Sequence, residues 1–300
     1  MAAPPPAASF ESWWQDGRAE LNGYSYHVTR YGQRRAGRCA MIVVTEPFSA
    51  AKRVKVDDPA RNPADTFEAL KLNLSRSFQT GIYDYHTMIS LFTHSRDFSP
   101  VKTAFSCTEW CGQVYEEQAF GPRAVSGFVR SYFEDESRAL SLPMKPGGIA
   151  EDDLFLVLRG LRGDFLPPGR TRSLPLLASP FITRLAHRPA AWVAATIARA
   201  RDPVRVSVPA GPFPAILYTA TLDDGRTGRF WIEAAWPHRV LKWAWSATGT
   251  PRGRMGRDGL DEGELLRSTR LPYWRLNGPG GERYLREMGL APLTPSAAGR

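Results

Sequence analysis

The sequence has no run of about 18 apolar residues, the length that a membrane-spanning helix needs. It also has no stretch of five consecutive Lys and Arg residues, although its formal net charge is +9 and its pI is about 9.7. The basic residues are spread along the chain without the interleaved aromatic residues of nucleic-acid sites. Nucleic-acid binding is therefore disfavoured, and peripheral contact with an anionic membrane stays open.

The local motifs of common catalytic and cofactor sites are missing as well. The chain contains no G-x-S-x-G, H-E-x-x-H, P-loop or dinucleotide-binding G-x-G-x-x-G segment. Its five histidines are scattered, so any metal site would need ligands that only the fold brings together. The sequence thus predicts no cofactor and no metal site, and it does not decide whether the chain is an enzyme.

Cysteine is scarce, with three residues at Cys39, Cys107 and Cys111. The C-x₃-C pair lacks the second pair of ligands of a zinc site, and it is not the C-x-x-C of a thioredoxin-like site. On one strand, Cys107 and Cys111 would lie ~13 Å apart at ~3.3 Å per residue, too far for a disulfide. Two alternatives stay open: buried free thiols, or a disulfide from Cys39 to Cys107 or Cys111 in an oxidising compartment.

What the sequence does contain is the composition of a globular protein, with 43% hydrophobic and 23% charged residues. Apolar and polar residues alternate in many short segments, which is typical of half-buried strands. The first half has about seven such segments without long amphipathic helices between them. The pattern predicts a mainly β fold: a strongly curved antiparallel sheet or half-barrel with a few short helices. We expect the first hairpin loop at Arg34–Gly37 and the end of the second strand at Glu46–Pro47. Near the end of the chain, Leu241, Trp243 and Trp245 alternate as in a strand, and Gly289 is the expected C-cap of a short helix.

Composition also divides the chain. The sequence predicts a disordered N-terminal tail, one β-rich domain and a C-terminal tail, at residues 1–12, 13–290 and 291–300. Within the domain we expect a first β block, a helical and proline-rich cover, and a second β block with a C-terminal helix, at 13–141, 142–203 and 204–290. The first nine residues, MAAPPPAAS, look like the tract that often follows a removed signal peptide, and the alternative is a disordered cytosolic N-terminus.

Aromatic residues on one parity of the predicted strands suggest an apolar cavity inside the curved sheet. We therefore predict a binding or carrier protein for a hydrophobic or lipid-like ligand. The candidate ligand-binding residues combine aromatic bodies with a few polar groups: Tyr83, Tyr85, Glu109, Trp110, Trp231 and Trp243. The alternative hypothesis is a hydrolase or other enzyme with a site near Tyr83–His86 and Glu109–Cys111, where groups able to move protons are dense.

The segment EWCGQVY, from Glu109 to Tyr115, is predicted to form one central strand. Trp110 and Val114 share one parity, with Gly112 between them where the strand would bend. On this interpretation Trp110 lies in the dry core, and replacing it with alanine would cost about 3–5 kcal/mol.

Several motifs together resemble a family of uncharacterised exported bacterial proteins, whose members are sometimes mislabelled septum-formation inhibitors. The resemblance runs from about Trp14 to Leu290, and it is carried by VTEPFS, LKLN, FQTGIYDY, EWCGQVY, SYFEDES, FWIE and YWRLNGPGGE. It implies a periplasmic or extracellular setting and, at a distance, a likeness to half-barrel lipoprotein-carrier domains that hold lipid inside a curved sheet. It implies no enzymatic role. The sequence departs from the family in having no evident signal peptide or lipobox.

Overall fold

One continuous curled sheet forms the molecule. The computed structural model describes residues 10–247 and 259–292. Within them, strands take up 56% of the residues and helical turns 13%, which confirms the predicted mainly β fold with short helices. The sixteen strands are β1 (Ala19–Arg30), β2 (Gln33–Ser49), β3 (Thr66–Thr80), β4 (Tyr83–His94), β5 (Pro100–Glu109), β6 (Gly112–Phe120), β7 (Ala124–Ser131), β8 (Arg138–Pro143), β9 (Ile149–Ala150), β10 (Thr171–Leu177), β11 (Trp192–Arg199), β12 (Val204–Val208), β13 (Gly211–Leu222), β14 (Arg226–Glu233), β15 (Val240–Ala247) and β16 (Asp261–Leu271).

Helices are few and short. The α-helices are α1 (Phe10–Trp14), α2 (Leu154–Val157) and α3 (Pro180–Leu185). The 3₁₀ helices are Pro59–Arg61, Pro63–Asp65, Glu151–Asp153, Tyr273–Arg275 and Gly281–Met288. The last of these ends at Gly289, whose φ of +73° is the left-handed conformation expected of the predicted C-cap glycine.

The strand order is β8-β7-β6-β5-β4-β3-β2-β1-β16-β15-β14-β13-β11-β10-β9, with β12 also paired to β13. Every pairing is antiparallel except that of β9 with β10. The sheet curls until its two edges approach, because Phe120 and Leu140 from one edge share an apolar cluster with Ala150 and Leu177 from the other. Such a sheet encloses an interior, as predicted for a half-barrel.

Two predicted strand ends differ in the structure. The first hairpin turns at Tyr31 and Gly32, both with positive φ, whereas the sequence pattern placed the loop at Arg34–Gly37. Two positive φ values are typical of the tight turn that joins twisted strands directly. Strand β2 also continues through Pro47, where we expected it to end. This proline is tolerated because β2 pairs with β1 only up to Val43, so Pro47 lies on an edge with no ladder bond to lose on that side.

The prediction that EWCGQVY forms one central strand is wrong. Its residues divide between β5 and β6, and the turn at Trp110 and Cys111 joins the two strands. Trp110 is 61% exposed, so it does not lie in the dry core. The alternation from Cys107 to Glu117 suits a tight hairpin as well as one strand, because each arm keeps the same period.

The segment predicted as an outer cover, 142–203, lies partly inside the curl and partly in the sheet, where it supplies β9, β10 and β11. We call Glu151–Leu158 and α3 the inner helices. Their apolar side chains belong to the main core, with Phe155 ring centroids 5.5 Å from Phe230 and 5.3 Å from Trp243. Residues 10–12 of the predicted tail belong to α1, in which Phe10 is buried. Residues 1–9 and 293–300 of the predicted tails lie outside the described residues.

Buried charge pairs connect the inner helices to the wall. Arg226 on β14 donates two hydrogen bonds of 2.7 Å to the carboxylate of Glu151. Arg159, which follows α2, pairs with Glu20 on β1 at 2.8 Å. Apolar side chains of similar volume often stabilise a core at least as well as a buried ion pair does. An ion pair, however, is favourable only when its two charged groups meet in hydrogen-bonding geometry. The pairs therefore fix where the inner helices sit.

Two buried carboxyls make the stability of this arrangement depend on pH. Burial raises the pKa of Asp152 to about 7 and that of Asp153 to about 8, against ~3.9 in an unfolded chain. Between these values the folded protein holds protons that the unfolded chain has released, so stability should fall as pH rises from about 5 to about 8. Asp153→Asn keeps an oxygen to accept from the Ala150 N–H, and it should flatten this dependence in urea-unfolding midpoints. The exposed Asp202→Asn is the control; equal slopes for both variants would contradict the assignment.

Candidate functional site

Alternate turns of the first half carry four large exposed side chains, three of them aromatic and one aliphatic. Tyr31 lies at the β1–β2 turn, Ile82 at the β3–β4 turn, Trp110 at the β5–β6 turn, and Tyr132 follows β7. Their exposed fractions are 56%, 68%, 61% and 68%. In an antiparallel meander alternate turns lie at the same end of the sheet, so these four side chains form one edge, which we call the rim.

Contacts between neighbouring tips hold the rim together. The Tyr31 and Tyr85 hydroxyls are 2.9 Å apart, which ties the first tip to β4. The ring centroids of Tyr83 and Trp110 are 5.8 Å apart, which ties the second tip to the third. Tyr132 lies over Gly112 so closely that a Cβ there would be 2.4 Å from the ring. The glycine is thus required by the close approach of the fourth tip to the third.

Beneath the rim lie buried polar groups from the wall and from α3. Arg30 donates to the Leu185 carbonyl at 2.8 Å, where α3 ends. Arg184 on α3 lies 3.7 Å from the Glu109 carboxylate, whose other oxygen accepts the Cys111 N–H at 2.7 Å. Burial raises the pKa of the Cys107 thiol to about 11, so this thiol stays protonated. The rim therefore rests on a charged but internally paired layer.

The structure places four of the six predicted ligand-binding residues at this end of the sheet. Trp110 belongs to the rim, Tyr83 is half-buried against it, and Tyr85 and Glu109 lie opposite each other in the layer beneath. The remaining two are elsewhere and on opposite faces. Trp243 is fully buried against the inner helices, while Trp231 faces outward with the Lys242 ammonium 5.4 Å from its ring centroid.

The groups of the alternative enzyme site converge only in part, because the Cys111 thiol contacts Glu109 and Tyr83 but His86 does not join them. His86 is exposed on the outer face, where its Nδ1 lies 3.1 Å from the Ser77 hydroxyl, whereas Glu109 points inward. The pKa of the exposed Cys111 thiol is raised by loss of solvation and by a hydrogen bond to Glu109, which disfavours a nucleophilic thiolate. All three cysteines are free thiols in the described part of the chain. Among those same residues, no group of three or more His, Cys, Asp and Glu is arranged to hold a metal ion.

Sequence reasoning missed three rim residues: Tyr31, Ile82 and Tyr132. A signal was present in two of them, because Tyr31 precedes Gly32 and Ile82 follows Gly81 at hairpin turns. A large apolar residue beside a turn glycine is placed where no neighbouring strand can cover it. Tyr132 and α3, which supplies Arg184, gave no comparable local pattern.

Comparison with known proteins yields little beyond the fold. No family model and no curated protein matches the sequence. Among solved structures, the chain is similar to the crystal structure of a beta-barrel-like protein of domain of unknown function DUF1849 from Brucella abortus. The identity is 9% and the TM-score 0.48, over 84% of this chain and 97% of that chain. The likeness is distant and says nothing about export or septum formation. No helix within the described ranges is long and apolar enough to span a membrane.

Proposed function

We propose that this chain is an exported, non-enzymatic protein that binds lipid-like partners through the rim. The observation that carries the proposal is the run of four hairpin tips that each expose a large apolar side chain. A contiguous exposed apolar patch on a folded protein is typical of an interaction surface. The periplasmic or extracellular setting is supported by the resemblance of the sequence motifs to exported bacterial proteins.

A lipid surface suits the rim better than a rigid pocket ligand does. The tips lie on turns at the end of the sheet, and Trp and Tyr combine an apolar body with a polar group, as side chains at a water–lipid interface do. The net charge of +9 favours approach to anionic lipid. The interior, where we expected the ligand, is filled by the inner helices, whereas the rim offers an accessible apolar surface.

The proposal predicts that apolar tips control binding to vesicles. In the double variant Trp110→Ser and Ile82→Ser, we expect cosedimentation with phosphatidylcholine–phosphatidylglycerol vesicles to weaken by about tenfold or more. Losing the burial of two large apolar side chains costs several kcal/mol, and ~1.4 kcal/mol corresponds to a factor of ten.

The chain offers a matched control. Trp274 and Val54 are 45% and 47% exposed but lie away from the rim, so Trp274→Ser with Val54→Ser removes similar exposed side chains. This control should bind vesicles as the wild type does. Equal binding by the two double variants, or no binding by the wild type, would contradict the proposal.

A further inference from the structure

A second candidate site lies at the other end of β4 and β5, away from the rim. There the turn 95–99, the loop before β9 and the chain after α2 enclose a cavity of about 510 Å³. The cavity lies where the β9 edge of the curled sheet approaches β5, since these two strands are in contact without a hydrogen-bonded ladder between them. We call it the seam pocket. Its volume is within the ~300–1,000 Å³ typical of small-molecule sites.

One side of the seam pocket is apolar. Phe98, Val157, Phe165 and Leu174 line it, and the first three pack against the main core as partly buried side chains. Phe98 is further fixed by the ring of Phe10, with the two centroids 6.0 Å apart. A partly buried apolar wall beside a cavity of this size suits a hydrocarbon chain.

The polar side carries more positive than negative charge, with three arginines and two aspartates in the lining. Asp164 pairs with Arg199 at 2.6 Å, and Asp97 accepts hydrogen bonds from the Ser99 N–H and hydroxyl at 2.9 and 2.7 Å. Arg162 is also engaged, by Glu11 at 2.7 Å. The remaining two arginines of the lining, Arg96 and Arg172, are exposed, and neither forms an ion pair of 4.0 Å or less within the described ranges, although the Asp97 carboxylate lies within electrostatic range of Arg96.

Arg172 is held in place by an aromatic contact instead of an ion pair. Its guanidinium carbon lies 5.4 Å from the ring centroid of Phe165, on the apolar wall itself. This contact leaves the guanidinium N–H groups available for an anion while the ring positions them. A guanidinium of this kind matches a carboxylate or phosphate with two parallel hydrogen bonds.

We propose that the seam pocket binds an amphiphile with one anionic head group, with the head on Arg96 and Arg172 and the chain along Phe98, Phe165 and Leu174. This site goes beyond the rim, since it lies at the other end of the strands and recognises charge as well as apolar surface. The head group is a carboxylate or a phosphate, because both present the oxygen pair that a guanidinium binds.

The test is isothermal titration calorimetry of the full chain with dodecanoate as the probe. We expect dodecanoate to bind, and dodecanol and inorganic phosphate to bind at least about tenfold more weakly, because each lacks one half of the recognised chemistry. The double variant Arg96→Gln and Arg172→Gln should weaken dodecanoate binding about tenfold or more. Arg170→Gln, which removes a nearby exposed arginine outside the lining, should leave it unchanged.

Any other outcome contradicts the proposal, and each contrary result has its own meaning. Equal binding of dodecanol shows that the head group is not recognised, and equal binding of phosphate shows a free-anion site. No binding of dodecanoate, or equal loss in Arg170→Gln and in the double variant, removes the assignment to this pocket. The rim variant Trp110→Ser with Ile82→Ser should still bind dodecanoate, so failure of the rim proposal and failure of the seam pocket are distinguishable.

Discussion

Trp243→Ala should lower the free energy of unfolding by about 3–5 kcal/mol, the loss typical of a large aromatic side chain removed from a packed core. Trp243 is fully buried, and its ring centroid is 4.9 Å from that of Tyr24 and 5.3 Å from that of Phe155. Gly263 on β16 accommodates the ring, since a Cβ at that glycine would be 2.1 Å from it. Because these neighbours pack closely around the ring, we expect them not to fill the space that the missing side chain leaves, so a cavity should remain.

Trp231→Ala provides the control for this prediction. Trp231 is on the neighbouring strand with the opposite parity and is only partly buried, although its ring still packs against the main core, so its loss should cost clearly less than that of Trp243. Urea-unfolding midpoints, with unchanged slopes, measure the difference. Equal shifts for the two variants would show that the inner helices do not pack on β15 as the structure has them.

These two tryptophans also show how far the sequence could predict the site. The alternation Leu241, Trp243, Trp245 identified a strand correctly, because side chains at every second position face the same way. It gave no information about which face meets the interior. Trp231 and Trp243 therefore looked equivalent as ligand residues, although the register pairs Trp243 with Phe230 and Trp231 with Lys242, on opposite faces.

The β fold was predictable because strand periodicity is local, whereas the filling of the interior was not. The inner helices are too short for an amphipathic period to be visible, with α2 spanning only Leu154–Val157. They also carry Glu151, Asp152 and Asp153, three acidic residues that indicate an exposed helix start by ordinary rules. All three are buried, and Glu151 is paired with Arg226 from a strand 75 residues away. Such an acidic segment can lie in the interior only because a residue distant in the sequence pairs with it.

That pairing leads to the second large expected effect, the loss on Arg226→Leu. Arg226 and Glu151 are buried, with exposed fractions of 4% and 3%, and Arg226 also binds Asp224 at 2.8 Å. Removing the guanidinium leaves the Glu151 carboxylate buried without its countercharge, and breaking a buried pair in this way typically costs about 3–5 kcal/mol. We expect the urea-unfolding midpoint at neutral pH to fall accordingly.

The double variant Arg226→Leu with Glu151→Leu should be more stable than Arg226→Leu alone, because it removes the uncompensated charge together with its partner. If the single and double variants unfold at the same midpoint, the pair does not hold the inner helices in the sheet. If instead the double variant recovers, the loss in the single variant comes from the uncompensated charge, and the packing of the inner helices supplies the stability.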